Sequence, residues 1–114
     1  MNKNKWVYNK PSFESDIYNK EMMKYSPWSG HRNFVYDFMA YKKPGVVVEL
    51  GSYYGCSAFT FLQAVKDMEL ETKFYAVDTW KGDIYTKDDY REDVYNEFIS
   101  IYEKSSYKQT GLYH

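Results

Sequence analysis

The chain has a single cysteine, Cys56, so it can form neither an internal disulfide nor a zinc site built from several cysteines. It also has no run of about 18 apolar residues, which argues against a membrane-spanning helix. The basic N-terminus is followed by Val7-Tyr8-Asn9-Lys10-Pro11 instead of an apolar stretch, so we expect no signal peptide. These absences favour a cytoplasmic protein without a membrane partner.

An excess of charge of either sign is also missing. The 15 basic and 16 acidic side chains give a net charge of -1. A nucleic-acid partner requires a clustered basic face, so we expect none. The length of 114 residues fits one ordinary domain.

Aromatic residues are abundant, and most of them are tyrosine: 14 Tyr, 7 Phe and 3 Trp. Tyrosine rings could line a platform for a sugar or a base. Their even spread along the chain favours the simpler interpretation, in which they fill half-buried positions.

Hydrophobic spacing predicts the elements α-β-α-β-α. Residues 1–27 are interpreted as an N-terminal surface arm with one short helix over 13–24, residues 28–104 as the folded domain, and residues 105–114 as a polar tail where the sheet stops short. Within the domain we predict helices over 30–41, 56–68 and 86–104 and strands over 46–50 and 73–78. The first of these helices should stop before Pro44, because proline disfavours a helical residue ahead of it.

The segment Val46-Val47-Val48-Glu49-Leu50 is β-branched and does not alternate, which is typical of a parallel strand buried on both faces. With the helix over 56–68 and the strand over 73–78 it predicts a βαβ unit with a right-handed crossover. The fold class is therefore α/β and Rossmann-like. No further strand is predicted after the third helix.

Acidic residues mark the carboxyl ends of both predicted strands, where open α/β sheets bind ligands. Glu49 lies at the end of the first strand and Asp78 closes the second, 23 residues after Gly55. An acid near that spacing accepts hydrogen bonds from ribose hydroxyls. Gly51 and Gly55 allow close approach to the main chain, and the helix that follows directs N–H groups at the ligand.

The sequence of the loop from Gly51 to Gly55 distinguishes between two candidate cofactors. A dinucleotide requires Gly-x-Gly-x-x-Gly to grip a pyrophosphate, whereas this loop is Gly-x-x-x-Gly and follows the negative charge of Glu49. S-adenosylmethionine carries an ammonium and a sulfonium and has no phosphate. The loop therefore favours S-adenosylmethionine over a nicotinamide dinucleotide.

The stretch from Val46 to Ser57, followed by Ala76-Val77-Asp78-Thr79-Trp80, resembles class I S-adenosylmethionine-dependent methyltransferases. Trp28-Ser29-Gly30-His31 and Trp80-Lys81-Gly82-Asp83 are similar to a bacterial branch often associated with glycosyltransferases. The resemblance implies a Rossmann-like fold and a cofactor site for S-adenosylmethionine. It assigns the methionine end to Glu49, Gly51 and Gly55, the ribose to Asp78 and the adenine side to Thr79 or Trp80. The remaining candidates in the loop and helix start are Ser52, Tyr53 and Ser57.

The family fold implied by this resemblance has about seven strands and roughly two hundred residues. The chain accordingly looks like the N-terminal, cofactor-binding part of that fold, apparently truncated after the second strand. We expect an acceptor that is a small or sugar-containing molecule, and we assign no catalytic residue and no metal ligand. Because the sheet is incomplete, we expect self-association or a complementing chain. The alternatives are a non-catalytic remnant or interaction module and, behind it, a nicotinamide-dependent oxidoreductase module.

Overall fold

The computed structural model describes residues 5–20, 23, 29–51, 55–78 and 92–113. The described helices are α1 (Ser15–Tyr18), α2 (Arg32–Lys42), α3 (Cys56–Asp67) and α4 (Glu92–Lys104). The described strands are β1 (Val46–Leu50), β2 (Lys73–Val77) and β3 (Gly111–Tyr113). Short 3-10 helices cover Ser29–His31 and Ser106–Gln109. The predicted α/β fold class is confirmed.

All three strands are parallel and lie in the order β1-β2-β3. Val46 pairs with Lys73 and Leu50 with Val77, so β1 and β2 end together. The prediction that no strand follows the third helix is wrong, because β3 pairs with β2 from Gly111. The segment has only three residues, too few for alternation to show in the sequence. The ranges 1–27, 28–104 and 105–114 remain predictions as domain bounds.

Helix α2 ends where its sequence requires. Lys43 adopts a left-handed conformation with φ of 48°, and its N–H donates to the carbonyl of Met39 at 2.9 Å. Pro44 then prevents the helix from continuing. The predicted stop before Pro44 is confirmed.

The main core lies on one side of the sheet. Phe59 and Leu62 of α3 and Phe98 of α4 are completely buried there against Phe74 of β2. The rings of Phe59 and Phe98 stack at 5.1 Å between centroids. Helix α2 packs on α3 through a second cluster that includes Met39. Both helices that follow a strand therefore cover the same face.

The other face of β1 is exposed. Val46 and Val48 are each 57% exposed and Leu50 is 80% exposed. The prediction that the strands are buried on both faces is therefore wrong for the described chain. The physical reason is that α3 and α4 both lie on the face of Phe74 and Ala76, so neither reaches the opposite side.

The N-terminal segment is tied to the domain by a buried hydroxyl. Tyr107 is completely buried, and its hydroxyl accepts from the Ser15 amide at 2.9 Å and donates to Gln63 Oε1 at 2.6 Å. Burial raises the pKa of the Tyr107 phenol well above its usual value, so the hydroxyl keeps the proton that it donates. Ser15 and Tyr107, which are 92 positions apart in the sequence, are thus joined beside Gln63 of α3.

Glu14 adds a charged contact beside it. Its carboxylate accepts from the Ser106 amide at 2.9 Å, from the Ser106 hydroxyl, and from Lys66 Nζ at 3.3 Å. Partial burial raises the pKa of Glu14, but these donors outweigh it, so the pKa lies below its ordinary value. We call Glu14, Ser15, Gln63, Lys66, Ser106 and Tyr107 the clasp.

A second ion pair fixes α1 to the start of α2. Nη1 and Nη2 of Arg32 each donate to the Asp16 carboxylate at 2.9 Å, and Nη1 also donates to the carbonyl of Met23 at 2.9 Å. The same guanidinium lies 4.0 Å from the centre of the Phe13 ring. Phe13, Asp16 and Met23 are thus held against the start of α2.

Candidate functional site

The carboxyl ends of β1 and β2 form one edge of the sheet. The Gly51 amide, directly after β1, donates to the carbonyl of Val77 at 2.8 Å. Asp78 is the next residue after Val77, so the structure brings Gly51 and Asp78 to adjacent positions at this edge. The contact agrees with the predicted βαβ unit, whose two strands are parallel and end together.

Gly51 combines an unusual backbone with open space. Its φ is +87°, in the region that residues with side chains rarely adopt. Apart from Gly51 itself and its two chain neighbours, no described atom lies within 4 Å of a Cβ placed on Gly51. The requirement for glycine here is therefore conformational, and the position is open enough for a ligand to approach the main chain.

Gly55 also has a positive φ, but a side chain there would in addition meet its neighbours. Its φ is +97°, and it caps the N-terminus of α3. A Cβ placed there would lie 2.5 Å from a ring carbon of Phe59 and 2.8 Å from one of Phe98. Packing thus demands glycine at Gly55. Sequence reasoning assigned this residue to the ligand and missed the aromatic contact, although Phe59 lies one helical turn further along.

Glu49 is held in place by the start of α3. The Ser57 hydroxyl donates to the Glu49 carboxylate, and Ser57 itself is buried. This contact joins the end of β1 to the first turn of the helix across the intervening loop. A carboxylate beside a helix N-terminus is also favoured by the helix dipole. The structure therefore unites two predicted candidates, Glu49 and Ser57.

The first turn of α3 supplies hydrogen-bond donors at the same edge. The first N–H groups of any α-helix have no partner inside the helix. The Phe59 amide donates to Gly55 O at 2.7 Å, one turn into the helix. The edge therefore combines two carboxylates with main-chain donors, which can bind a ligand that has both cationic and hydroxyl groups.

The other predicted site residues lie outside the described ranges. They are Ser52, Tyr53, Thr79 and Trp80. The predicted start of the third helix near residue 86 also lies there, and α4 is described from Glu92. Cys56, the single cysteine, is buried at 5% exposure, and its Sγ donates to the carbonyl of Met23 at 3.3 Å.

Among the residues that the structure describes, no three His, Cys, Asp or Glu side chains come together as a metal site would require. None of the described helices has the length and apolar character needed to cross a membrane.

Most of the sheet and the helices packed on it lie in a part of the chain that resembles known proteins. The family model described as "Methyltransferase domain" matches residues 48–112, from inside β1 into β3. An uncharacterized protein, y4gI, of Sinorhizobium fredii is 38% identical over 76 residues, which are 67% of this chain. Those residues are only 8% of that relative's length. No solved structure matches.

Proposed function

Because the chain belongs to the methyltransferase-domain family, we propose that it binds S-adenosylmethionine at the carboxyl ends of β1 and β2. The observation that carries the proposal is the Gly51–Val77 hydrogen bond, which sets an open glycine beside Asp78. The cofactor carries an electrophilic methyl group on its sulfonium, which is what a methyltransferase transfers.

The residues at this edge fit the chemistry of that ligand. The Asp78 carboxylate would accept hydrogen bonds from the ribose hydroxyls, and the Glu49 carboxylate would attract the ammonium group. Ser57 holds Glu49 in place for that role. The open space at Gly51 leaves room for the ligand against the main chain. The other residues proposed to contact the cofactor are Ser52, Tyr53, Thr79 and Trp80.

The whole protein's reaction is a further proposal. The chain spans about 8% of the length of the relative it matches, and the acceptor is proposed as a small or sugar-containing molecule. We propose no catalytic base, because the described residues at this edge bind the cofactor. The 114-residue chain alone is expected to bind the cofactor weakly and to transfer no methyl group.

Isothermal titration of the 114-residue chain with S-adenosylhomocysteine and, separately, with NADH tests the cofactor. We expect a 1:1 isotherm with S-adenosylhomocysteine and no heat with NADH. Binding of NADH alone would assign the site to a nicotinamide-dependent module. A folded sample that binds neither ligand would identify the chain as a non-catalytic remnant and refute the proposal.

A further inference from the structure

An aromatic cluster lies on the outer side of α2. Phe34, Phe38 and Tyr41 follow one another at spacings of four and three residues, which places them on one helical face. The Trp6 ring lies 5.5 Å between centroids from the rings of Phe34 and Tyr41, and the rings of Phe34 and Phe38 lie 6.4 Å apart. We call Trp6, Phe34, Phe38 and Tyr41 the aromatic stripe.

The aromatic stripe is not part of the core. Tyr36 and Met39 form the buried side of α2, where they pack with residues of α3. With 3.6 residues per turn, the stripe falls on the opposite side of the helix. Phe34 is 60% exposed and Phe38 36% exposed, despite their contacts with other rings. A contiguous apolar surface of this kind is typical of an interaction site.

A double hydrogen bond fixes the N-terminal segment beside the stripe. The main-chain N–H and the side-chain amide of Asn9 both donate to Asp37 Oδ1, at 2.9 and 2.7 Å. Trp6, three residues earlier, is thereby kept close to α2. Asp37 is only 4% exposed, so its carboxylate adds little negative charge to the surface.

The surface around the stripe is basic. The segments 5–10 and 33–43 contain four exposed lysines, and their single acidic residue is the buried Asp37. The lysines are Lys5, Lys10, Lys42 and Lys43. The two segments therefore have a net charge of +3, whereas the other residues have 11 basic and 15 acidic side chains and a net charge of -4. The positive charge of the chain is thus concentrated where the aromatic rings are exposed.

Two of these lysines border the rings directly. Lys5 precedes Trp6 in the chain, and Lys42 lies one helical turn after Phe38. The carbon stem of a lysine packs along apolar surface while its ammonium stays in water. The lysine charges can therefore remain solvated at the margin of the stripe while the rings enter an apolar layer.

This combination matches the surface of an anionic bilayer. Tryptophan and tyrosine rings are enriched at the level of the lipid headgroups. A helix that lies in that layer buries an apolar face with aromatic residues and keeps lysines on its polar side. Anionic lipids attract each nearby lysine. The aromatic stripe supplies the rings for such a contact, and the four lysines supply the charge.

A protein partner fits the same residues less well. Lysine is depleted in protein–protein interfaces, whereas here it surrounds the apolar rings. A standard interface also takes roughly 20–30 residues a side, far more than the stripe and its lysines provide. Contact with a lipid surface has no such size requirement.

We propose that the aromatic stripe and its four lysines bind the surface of a bilayer that contains anionic lipids. The rings of Phe34 and Phe38, the most exposed of the stripe, enter the headgroup layer, and the lysines pair with the lipid charges. The expectation of no membrane partner rested on the lack of a spanning helix, which binding at a surface does not require. This goes beyond the proposed function, because the contact does not involve the cofactor.

Flotation of the full 114-residue chain with lipid vesicles tests the proposal. One vesicle type contains phosphatidylcholine alone, and the other also contains about 30% phosphatidylserine, which supplies the negative surface potential. We expect the chain to float with the phosphatidylserine vesicles only. Raising the salt from about 0.1 M to about 1 M shortens the screening length from about 10 Å to about 3 Å and should weaken binding.

Paired lysine variants separate the stripe from net charge. Lys5→Gln combined with Lys42→Gln should weaken binding to the phosphatidylserine vesicles about thirty-fold, since each lysine near such a surface contributes about five-fold. Lys73→Gln combined with Lys104→Gln is the matched control, because both lysines are exposed and lie outside the two basic segments. The control removes the same charge and should bind like the parent.

Phe34→Ser tests the contribution of the rings. It should weaken binding about ten-fold, because a large apolar side chain no longer leaves water. Ile17→Ser is its control, since Ile17 is 77% exposed on α1 and lies outside the stripe. Circular dichroism shows whether each variant has folded, and Phe38→Ser replaces Phe34→Ser if the latter has not.

Failure of the parent chain to float with the phosphatidylserine vesicles overturns the proposal. Equal weakening by the two lysine pairs does so as well, because binding would then follow net charge alone. A dimer of the chain in solution that Phe34→Ser dissolves would assign the stripe to a second copy. None of these readouts requires S-adenosylhomocysteine, so failure here is distinguishable from failure of cofactor binding.

Discussion

The amide of Gly51 and the carbonyl of Val77 form a 2.8 Å hydrogen bond that ties the ends of β1 and β2 together. It continues the pairing of Leu50 with Val77 by one residue. As a result, the chain leaves both strands at the same level, with a glycine on one side and Asp78 on the other. The candidate site is thus a consequence of strand register.

The two site glycines predict different responses to alanine. Gly51→Ala meets only the backbone cost of a positive φ, about 1–2 kcal/mol. Gly55→Ala adds overpacking against the buried ring of Phe59, roughly 1–3 kcal/mol more. Urea unfolding of both variants should therefore rank Gly55→Ala as clearly the less stable. Equal losses would show that the Phe59 ring yields to the added methyl group.

The clasp predicts that one hydroxyl stabilises the fold. Tyr107→Phe leaves the buried Ser15 amide without its acceptor, which should lower the free energy of unfolding by about 1–3 kcal/mol. Tyr8→Phe is the matched control, because Tyr8 is 87% exposed and the same change should cost under about 0.5 kcal/mol. Thermal unfolding of the two variants measures the difference. Equal midpoints of thermal unfolding for the two variants would mean that water replaces the Tyr107 hydroxyl as the acceptor for the Ser15 amide.

The lowered pKa of Glu14 predicts a pH-dependent contribution to stability. A carboxyl group whose pKa is lower in the folded state stabilises the fold above its ordinary value of 4.5. That contribution is lost as the pH falls through the folded-state pKa. Glu14→Gln should therefore destabilise the chain by about 1–3 kcal/mol at pH 7. The difference should shrink as the pH falls below 4.5 and through the lowered pKa of Glu14.

Denaturant unfolding of the parent and Glu14→Gln between pH 3 and 7 follows that difference. Glu71→Gln is the control, since Glu71 is exposed, and its difference from the parent should stay small throughout. A Glu14→Gln difference that is constant with pH would mean that the contacts of Ser106 and Lys66 with Glu14 do not depend on its charge.

The local pattern of hydrophobic residues predicted most helices and strands, but it did not predict which segments pack against them. The bounds of β1 and nearly those of α3 followed from a β-branched run and from apolar spacing, which are properties of neighbouring residues. The clasp could not be predicted, because Ser15 and Tyr107 meet from 92 positions apart and no periodicity records such a contact. The exposure of Val48 was missed for the same reason. An apolar sequence shows that burial is favourable, but it does not show which segment supplies the cover.

The candidate site, like the fold, could be predicted only as far as neighbouring residues determine it. Glu49, Gly51 and Asp78 were predicted as site residues from strand ends and loop glycines, and the structure brings the ends of their strands together. The contact of Ser57 with Glu49 required the geometry of the α3 start. The second role of Gly55, its contact with Phe59 and Phe98, depends on two helices packing at one point.

Asp78 carries the sharpest prediction about binding. Its carboxylate would accept hydrogen bonds from both ribose hydroxyls, and bonds to a charged group contribute about 1.5–3 kcal/mol each. Asp78→Ala should therefore weaken S-adenosylhomocysteine binding roughly ten-fold to several hundred-fold, since about 1.4 kcal/mol is a factor of ten. Asp78→Asn should lose less, because an amide oxygen still accepts a hydrogen bond. The fold should persist in both variants, since Asp78 follows β2 and is not part of the buried core.

Isothermal titration of the parent and both Asp78 variants measures these affinities, with circular dichroism to establish folding. The order parent, Asp78→Asn, Asp78→Ala is what distinguishes a ribose contact from a general charge effect. A charge effect alone would make the two neutral variants equal, because each removes the same negative charge. Equal affinity of all three folded proteins would remove Asp78 from the site and leave Gly51 and Glu49 without a partner at the end of β2.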